Sequence, residues 1–318
     1  MNEFEFINNI KKKYGLDAVG DDCAVLPMDD SSDLLITSDL LVEEIDFKLD
    51  WTTAELLGHK ALAVSLSDIA AMGGRPSWSL VSVGIPAALW GAKFLDRFYD
   101  GWHELANRYG VKLVGGDISR SANKLVIDST VGGMVPKGRA ISRSGASVGD
   151  SIFVTGPLGG AAVGLQLLNK GMRFDRTSIS PTVGLLEKQL APNPRVELAA
   201  RLQQTEIVTS MIDLSDGVSS DLAHICRASG VGAVVFANDI PFEAEVMELA
   251  GSVDAMLDLA LNGGEDFELL FTAPQEKISR LNLDDIFRIG EITETVGVIE
   301  LERIGKRELL PPGGYRHF

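Results

Sequence analysis

Aspartate recurs in this chain where Gly, Ser or Thr stands beside an apolar stretch. The pattern occurs at Gly20-Asp21-Asp22, Thr37-Ser38-Asp39, Ser65-Leu66-Ser67-Asp68, Gly115-Gly116-Asp117, Asp213-Leu214-Ser215-Asp216-Gly217 and Gly263-Gly264-Glu265-Asp266. A carboxylate beside apolar residues is costly to desolvate without a partner, so we expect cations among these groups. Hard oxygen ligands at this density suit Mg²⁺, which keeps some positions for water and phosphate. The pattern therefore predicts metal-assisted phosphate chemistry.

Three of these acids, Asp22, Asp39 and Asp117, are expected at or beside strand ends. Asp39 follows the predicted strand Leu34–Ser38, and Asp117 follows the predicted strand Val111–Val114. Polar groups at strand ends lie at the edge of an α/β sheet, where ligands tend to bind. Ordinary turn chemistry would explain any one of the aspartates. The recurrence of the pattern along the chain favours a common site.

Asp68 lies in a predicted helix, residues 53–72, and not beside a strand. Its neighbours in ALAVSLSDIAAMGG are mostly apolar, and Ser65 is expected on the same helix face. A lone helix aspartate is usually exposed to solvent, but this segment offers little polar surface. The composition of the helix therefore favours a ligand role for Asp68.

Two further features suit phosphate groups. Residues 213–217 follow the apolar stretch IVTSMI and precede a helix near 219–229, whose free amides suit an anion. Ser215 or Asp216 could equally cap that helix. Arg143 in KGRAISRSGASVGD could bind phosphate oxygens, with simple solvent exposure as the alternative.

The element pattern restarts after Pro136-Lys137-Gly138-Arg139, which divides the chain into two parts. Strands and helices alternate on both sides, so we expect two α/β domains, residues 1–137 and 138–318. A chain of 318 residues is long enough for two domains of ordinary size.

Composition excludes several classes of protein. The chain has 29 basic and 45 acidic residues and a net charge of −16, which argues against nucleic acid or an anionic membrane as partner. No apolar run of about 18 residues predicts a transmembrane helix. The two cysteines, Cys23 and Cys226, lie far apart, so we expect reduced thiols and a cytoplasmic protein.

Several stretches resemble the thiamine-monophosphate kinase family and together cover nearly the whole chain. They occur in the family's order: GDDCAVL, TSDLLVEEIDF, HKALAVSLSDIAAMGGRP, LVGGDISR, GRAISRSGASVGD, DLSDGVSSDLAHI, GGEDFELLF and GGYRHF. The resemblance implies transfer of the ATP γ-phosphoryl group to thiamine monophosphate, with several magnesium ions. It also implies a homodimer in which the N-terminal α/β domains pair into a β-barrel, and a C-terminal α/β domain that closes over ATP.

The resemblance also implies roles for individual residues. The implied magnesium ligands are Asp22, Thr37, Ser38, Asp39, Asp68, Asp117, Asp213 and Asp216. The implied catalytic set is Asp39, Asp68, Asp117 and Asp216. The implied ATP contacts are Gly116, Asp117, Arg143 and Ser215, and the implied thiamine contacts are Glu265 and Tyr315.

One position departs from the family pattern. The family often has Gly-x-His-Phe where this chain has Glu44-Ile45-Asp46-Phe47. The resemblance places the histidine position at the substrate, so Asp46 becomes a candidate substrate contact. Its carboxylate could face the cationic thiazolium ring.

The implied reaction depends on positioning and charge neutralisation more than on covalent steps. The acceptor is a phosphate that is already ionised at neutral pH, so no strong general base is needed. We therefore expect direct in-line transfer without a phosphoenzyme.

Other ATP-using members of the superfamily remain alternatives, namely selenophosphate synthetase and aminoimidazole-ribotide synthetase. Selenophosphate synthetase would carry a reactive Cys or selenocysteine near its N-terminus, whereas Cys23 is expected in a strand core. A non-catalytic protein that binds nucleotide or divalent cations is a further alternative. Release of ADP in the presence of thiamine monophosphate would indicate a kinase and not such a binding protein.

Overall fold

A computed structural model describes residues 3–16, 18–91, 93–279 and 285–315. The strands are β1 (Ala24–Pro27), β2 (Ser32–Val42), β3 (Arg75–Pro86), β4 (Lys112–Ser121), β5 (Val126–Pro136), β6 (Ser151–Val154), β7 (Ser210–Asp213), β8 (Gly232–Phe236), β9 (Leu269–Ala273), β10 (Phe287–Thr293), β11 (Ile299–Arg303) and β12 (Lys306–Leu309). The helices are α1 (Glu3–Tyr14), α2 (Ala54–Ala71), α3 (Ala87–Trp90), α4 (Phe94–Tyr109), α5 (Gly160–Asn169), α6 (Thr182–Leu190), α7 (Val196–Thr205), α8 (Val218–Ser229), α9 (Ala244–Ala250), α10 (Val253–Asn262) and α11 (Gln275–Ile278).

The N-terminal sheet has the strand order β1-β2-β5-β3-β4. β2 and β5 form its long antiparallel centre, from the pair Ser32 and Pro136 to the pair Val42 and Val126, while β3 and β4 are parallel. Over the described residues this sheet is open and β1 and β4 form its edges, so it makes no closed barrel.

Helix α2 lies buried against this sheet. Thr53 caps it by accepting a hydrogen bond from Leu56 N at 3.3 Å. The helix is apolar on nearly all sides, which is typical of a helix surrounded by protein. Gly58 allows helix α4 to approach closely, because a Cβ there would lie 1.9 Å from Phe98 O.

The C-terminal sheet has the order β12-β11-β8-β10-β6-β9-β7. Its inner strands β6 and β9 are buried along their whole length, which agrees with their mostly apolar composition. Buried residues of this half, such as Phe153 and Phe271, pack in the same apolar cluster as Leu66 of α2. The two sheets are therefore joined by a continuous core.

Two predicted strand ends differ from the structure. β2 continues to Val42 and β4 continues to Ser121, so Asp39 and Asp117 lie inside strands and not after them. Pairing with β5 and β3 carries these strands past the polar residues, because backbone hydrogen bonding does not depend on side-chain polarity. Among the helices that the structure describes, none is both long and apolar enough to cross a membrane.

Candidate active site

Three carboxylates from distant parts of the chain meet between the two sheets. Asp22 precedes β1, Asp68 belongs to α2 and Asp213 ends β7. One carboxylate oxygen from each lies within 4.8 Å of the other two. Asp22 and Asp213 are buried and Asp68 is half-buried. The structure thus brings together three of the predicted metal ligands.

This carboxylate trio, Asp22, Asp68 and Asp213, resists full ionisation. Burial raises the pKa of Asp213 to about 8, and the charge of Asp22 adds to the effect. Burial also raises the pKa of Asp68 well above its usual range, followed by repulsion from Asp39 and Asp213. Burial raises the pKa of Asp22, although the nearby Arg143 opposes the shift. A cation among these groups would favour their ionised forms.

The carboxylate of Asp22 has the chemistry expected of a metal ligand. Its Oδ1 accepts a hydrogen bond from Arg143 Nη2 at 2.5 Å. Its Oδ2 is buried and has no hydrogen-bond partner among the described residues. Buried polar atoms usually have a partner, so an unpaired oxygen beside two further carboxylates fits a hard divalent cation.

Hydroxyl groups hold the other two members of the trio. Thr37 Oγ1 donates to Asp68 Oδ2 at 2.5 Å, and Ser67 Oγ donates to Asp213 Oδ2 at 2.7 Å. Each bond leaves one carboxylate oxygen for another ligand. Sequence reasoning missed the role of Ser67, although its position beside Asp68 in the same motif was a signal.

Asp39 lies beside the trio on the face of β2 that packs against α2. Its Oδ2 accepts a hydrogen bond from Ser65 Oγ at 2.6 Å, and Ser65 also contacts Ser129 O at 3.0 Å. Burial raises the pKa of Asp39 to about 6, against the opposing effect of the Ser65 hydrogen bond. As predicted, Ser65 and Asp68 face the same side of their helix.

Two predicted ligands are not brought to the trio by their side chains. Ser38 lies on the other face of β2, where its Oγ contacts Asp128 Oδ2 at 3.2 Å and Thr130 Oγ1 at 3.1 Å. Asp117 is exposed on β4 in register with Ser82 of β3. The alternation of side chains along a strand accounts for the position of Ser38.

Arg143 lies in the segment between β5 and β6 and binds the Asp21-Asp22 turn. Besides its bond to Asp22, its backbone N–H contacts Asp21 Oδ1 at 3.1 Å. Burial, followed by the charge of Asp22, raises the pKa of Asp21 to about 6.

Gly116, the predicted ATP contact on β4, has φ +151°, and a Cβ there would lie 1.9 Å from Val81 O.

Asp221, which sequence reasoning missed, shapes the loop of residues 213–217. Its buried Oδ2 accepts hydrogen bonds from Asp216 N at 3.2 Å and Gly217 N at 3.0 Å. Burial, and then Asp216 and Asp213, hold the pKa of Asp221 well above its usual range. An acid in the first turn of α8 was the available signal, because acids favour helix N-termini.

The loop of residues 213–217 runs beside the Gly263-Gly264-Glu265-Asp266 segment. Leu214 N donates to Glu268 O at 2.8 Å, and Glu265 N donates to Ser215 O at 2.9 Å. Glu265 adopts a left-handed backbone with φ 66°. These bonds place the predicted ATP contact Ser215 next to the predicted thiamine contact Glu265.

Tyr315 lies close to this pair of loops. Its backbone N–H donates to Asp216 O at 3.3 Å. Burial raises the pKa of the Tyr315 hydroxyl, and the charges of Asp46, Glu265 and Asp216 add to the shift. Glu265 and Tyr315 therefore both bond the loop of residues 213–217, and the charge of Asp46 also acts on the Tyr315 hydroxyl. The last three residues of the GGYRHF motif, 316–318, lie outside the described residues.

Asp46 is held by the turn that follows β2. Its Oδ2 accepts a hydrogen bond from Val42 N at 2.7 Å, and its own N–H donates to Val42 O at 2.9 Å. Glu44, at the centre of this turn, has φ 76°. The carboxylate thus has a fixed position while its side chain remains half-exposed.

Cys23 is buried beside the trio. Burial, followed by the charge of Asp68, raises the pKa of the Cys23 thiol well above its usual range. A thiol of this kind is a poor nucleophile. This environment differs from the reactive cysteine expected of a selenophosphate synthetase.

Comparisons with known proteins agree with this architecture. The family model described as AIR synthase related protein, N-terminal domain, matches residues 20–135, and the corresponding C-terminal domain model matches residues 147–301. These matches and the carboxylate site define the AIR synthase related class of protein.

Relatives within this class identify the family to which the chain belongs. Thiamine-monophosphate kinase of Escherichia coli (strain K12) is 36% identical over 308 residues, covering 94% of this chain and 91% of the relative. The Bacillus subtilis (strain 168) enzyme of that name is 34% identical over 330 residues and all of both chains. The solved structure of AaThiL complexed with AMPPCP and TMP has a TM-score of 0.88 and 32% identity, covering 100% of this chain and 97% of that one. The chain belongs to the thiamine-monophosphate kinase family.

Proposed function

We propose that this chain transfers the γ-phosphoryl group of ATP to thiamine monophosphate, giving thiamine diphosphate and ADP. The observation that carries the proposal is the carboxylate trio of Asp22, Asp68 and Asp213, assembled from both halves of a chain in this family. A solved relative is described as complexed with AMPPCP and TMP, an ATP-like nucleotide and the acceptor. The acceptor and donor are both anionic, so a site that recruits cations suits their reaction.

Magnesium is the cation that fits this donor set. We assign the trio as its principal ligands, with the carboxylate of Asp39 beside them. When bound, the ions would supply charge neutralisation for the phosphate oxygens of donor and acceptor. The predicted roles of Ser38, Asp117 and Asp216 as further ligands stay part of the proposal.

The chain's own residues hold these acids in place. Ser67 fixes Asp213, and Thr37 fixes Asp68, through the hydrogen bonds described above. Asp221 fixes the backbone of the loop that carries Ser215 and Asp216. Because these groups are already in position, they need not reorganise during phosphoryl transfer. Enzymes of this kind gain most of their rate enhancement from such positioning.

The nucleotide and the acceptor take separate parts of the site in this proposal. Gly116, Asp117, Arg143 and Ser215 are the proposed nucleotide contacts. The proposed thiamine contacts are Asp46, Glu265 and Tyr315, of which Glu265 and Tyr315 bond the same loop. The acceptor phosphate is already ionised, so none of these residues has to act as a strong base.

We also propose two domains, residues 1–137 and 138–318, and a homodimer. Leu40, Val114 and Ile118 are exposed on the N-terminal sheet, and β4 is an open edge that proteins usually cover. Pairing of two such sheets into a barrel would bury these residues. The thiols of Cys23 and Cys226 are free, which suits a cytoplasmic location.

A coupled assay for ADP tests the proposed function. With ATP and Mg²⁺ present, addition of thiamine monophosphate should start ADP release, whereas thiamine should not. Equal ADP release with and without thiamine monophosphate would refute the proposal. Binding without any turnover would instead indicate a non-catalytic nucleotide-binding protein.

A further inference from the structure

Lys60 is a buried cation outside the carboxylate trio. It lies on α2 and is 3% exposed. Lysine is almost never fully buried unless it is paired, because its ammonium group is strongly hydrated in water. Its Nζ lies 2.7 Å from Glu265 Oε1 and donates to Gln189 O at 3.1 Å. Both partners belong to the C-terminal half of the chain.

Gln189 closes a small network with these two residues. Its side-chain Nε2 donates to Glu265 Oε2, while its backbone oxygen accepts the bond from Lys60. Gln189 is itself buried. Both oxygens of the Glu265 carboxylate are therefore held, one by Lys60 and one by Gln189.

The backbone of Glu265 is held as well. Its N–H donates to Ser215 O at 2.9 Å, and its left-handed φ of 66° is unusual for a residue with a side chain. Such a conformation persists when the surroundings fix it. The Glu265 side chain nevertheless keeps 29% of its surface exposed, so part of the carboxylate can still be reached by a substrate.

We propose that Lys60 is a positioning residue that orients Glu265 for the acceptor substrate across the boundary between the two halves. This inference rests on the proposed function. The pair is neutral overall, so Glu265 presents acceptor atoms to the substrate and not a net negative charge. Each carboxylate oxygen has a second acceptor position, which Lys60 and Gln189 leave available for a substrate N–H group.

Helices α2 and α4 make other hydrogen bonds to the segment that follows Gln189. His59 Nε2 lies 2.8 Å from Pro192 O, one residue along α2 from Lys60. On the neighbouring helix α4, Tyr109 OH donates to Pro194 O at 3.1 Å. The loss of the Lys60 ammonium therefore leaves other bonds between the halves in place, and its effect should fall on Glu265.

Steady-state kinetics of Lys60→Met tests the inference. We expect the KM for thiamine monophosphate to rise about tenfold, because Glu265 loses its partner. The KM for ATP should change less than about twofold. Arg173→Met is the matched control: it removes an ion pair between the halves, Arg173 Nη2 to Asp50 Oδ2 at 2.7 Å, without touching Glu265, and should leave both KM values unchanged.

A double-mutant cycle separates positioning from general support of the fold. In a Glu265→Gln background, Lys60→Met should add little to the KM for thiamine monophosphate, because the residue through which it acts is already altered. The double variant also removes both charges, so it avoids a buried unpaired ion. If Lys60→Met alone does not fold, Gln189→Met provides the same comparison, since the backbone bond to Lys60 remains.

Two results would overturn the inference. One is an unchanged KM for thiamine monophosphate in Lys60→Met, and the other is an equal rise in both backgrounds. Calorimetric titration of thiamine monophosphate into the same variants with AMPPCP present needs no turnover. The wild-type ADP assay decides the proposed function separately, so the inference about Lys60 can fail while the proposed function stands.

Discussion

Ser67 Oγ donates a hydrogen bond of 2.7 Å to Asp213 Oδ2, and both residues are buried. The bond joins α2, which packs on the N-terminal sheet, to the end of β7 in the C-terminal sheet. Asp68, the next residue, contributes to the carboxylate trio that also contains Asp213. The trio therefore exists only when the two halves are packed together.

Ser67→Ala should weaken metal activation more than it weakens folding. Asp213 would lose the group that orients it. Removing a hydrogen bond that orients a metal ligand typically lowers metal affinity about 10-fold or more. We expect the Mg²⁺ concentration for half-maximal activity to rise about 10-fold. Ser77→Ala is a matched control, because its hydroxyl donates to Gly132 O at 3.2 Å and not to a member of the trio. Equal responses of the two variants would contradict this role for Ser67.

Asp39→Asn and Asp68→Asn should nearly abolish turnover while the fold stays intact. Each substitution removes a charge with little change in shape, and losses on the order of 100-fold or more are expected for an electrostatic group of this kind. The readouts are kcat at saturating Mg²⁺ and the circular dichroism spectrum. Asp96→Asn, at an exposed position on α4, controls for loss of a carboxylate elsewhere. Near-normal kcat in either site variant would remove that residue from the catalytic set.

Without metal, the protein should become less stable as the pH rises. Burial raises the pKa of Asp39 to about 6 and of Asp213 to about 8, above their values in the unfolded chain. The stability that the protonated forms contribute is complete below about pH 4 and is lost as the pH passes through the folded-state pKa values. In EDTA, Tm should therefore fall between about pH 4 and about pH 8.

Added Mg²⁺ should reverse this trend, because it favours the ionised carboxylates. The rise in Tm on adding Mg²⁺ should be larger at about pH 8 than at about pH 5.5. Asp213→Asn should flatten the pH dependence measured in EDTA. A metal-induced rise in Tm that is the same at every pH would contradict the assignment of these acids as ligands.

Asp46→Asn should raise the KM for thiamine monophosphate about fivefold to tenfold and leave the KM for ATP largely unchanged. The half-exposed carboxylate acts electrostatically on Tyr315, and an opposite charge at close range is worth roughly 1 kcal/mol in a solvated site. The amide oxygen of Asn can still accept the bond from Val42 N, so the turn should persist. Equal KM values in wild type and variant would show that the thiazolium is held by other groups.

The proposed dimer predicts a particle of about twice the chain mass of 34.1 kDa in light scattering at micromolar concentration. Val114→Glu places a charge on the exposed edge strand β4 and should shift the particle towards the monomer. Met247→Glu is a matched control, since Met247 is equally exposed but lies on α9, outside the N-terminal sheet. A mass near that of one chain for the wild type would rule against a stable dimer.

The sequence was sufficient to predict α2 and several acids of the site. The apolar composition of α2 and its Thr53 cap are local features, and so is the placement of Asp68 among apolar neighbours. Asp22 and Asp213 were also identified by the residues that surround them. Local chemistry therefore identified the three acids that the structure brings together, but it also identified Asp117, which is exposed on β4.

Long-range contacts could not be predicted in the same way. The ends of β2 and β4 depend on pairing with β5 and β3, so Asp39 and Asp117 were expected after strands that in fact continue. Strands β10, β11 and β12 are short and their partners include β6 and β8, far away in sequence, and no element was predicted there. The partners of Lys60 and Asp221 depend in the same way on how distant segments pack.

Transfer of radiolabel from [γ-³²P]ATP tests the central claim most directly. The wild-type protein with Mg²⁺ and thiamine monophosphate should place the label in thiamine diphosphate, in equal amount to the ADP formed and without label on the protein. Asp68→Asn should lose this transfer while it retains its fold. Label found only as inorganic phosphate, or a wild-type protein that forms no labelled thiamine diphosphate, would contradict the account.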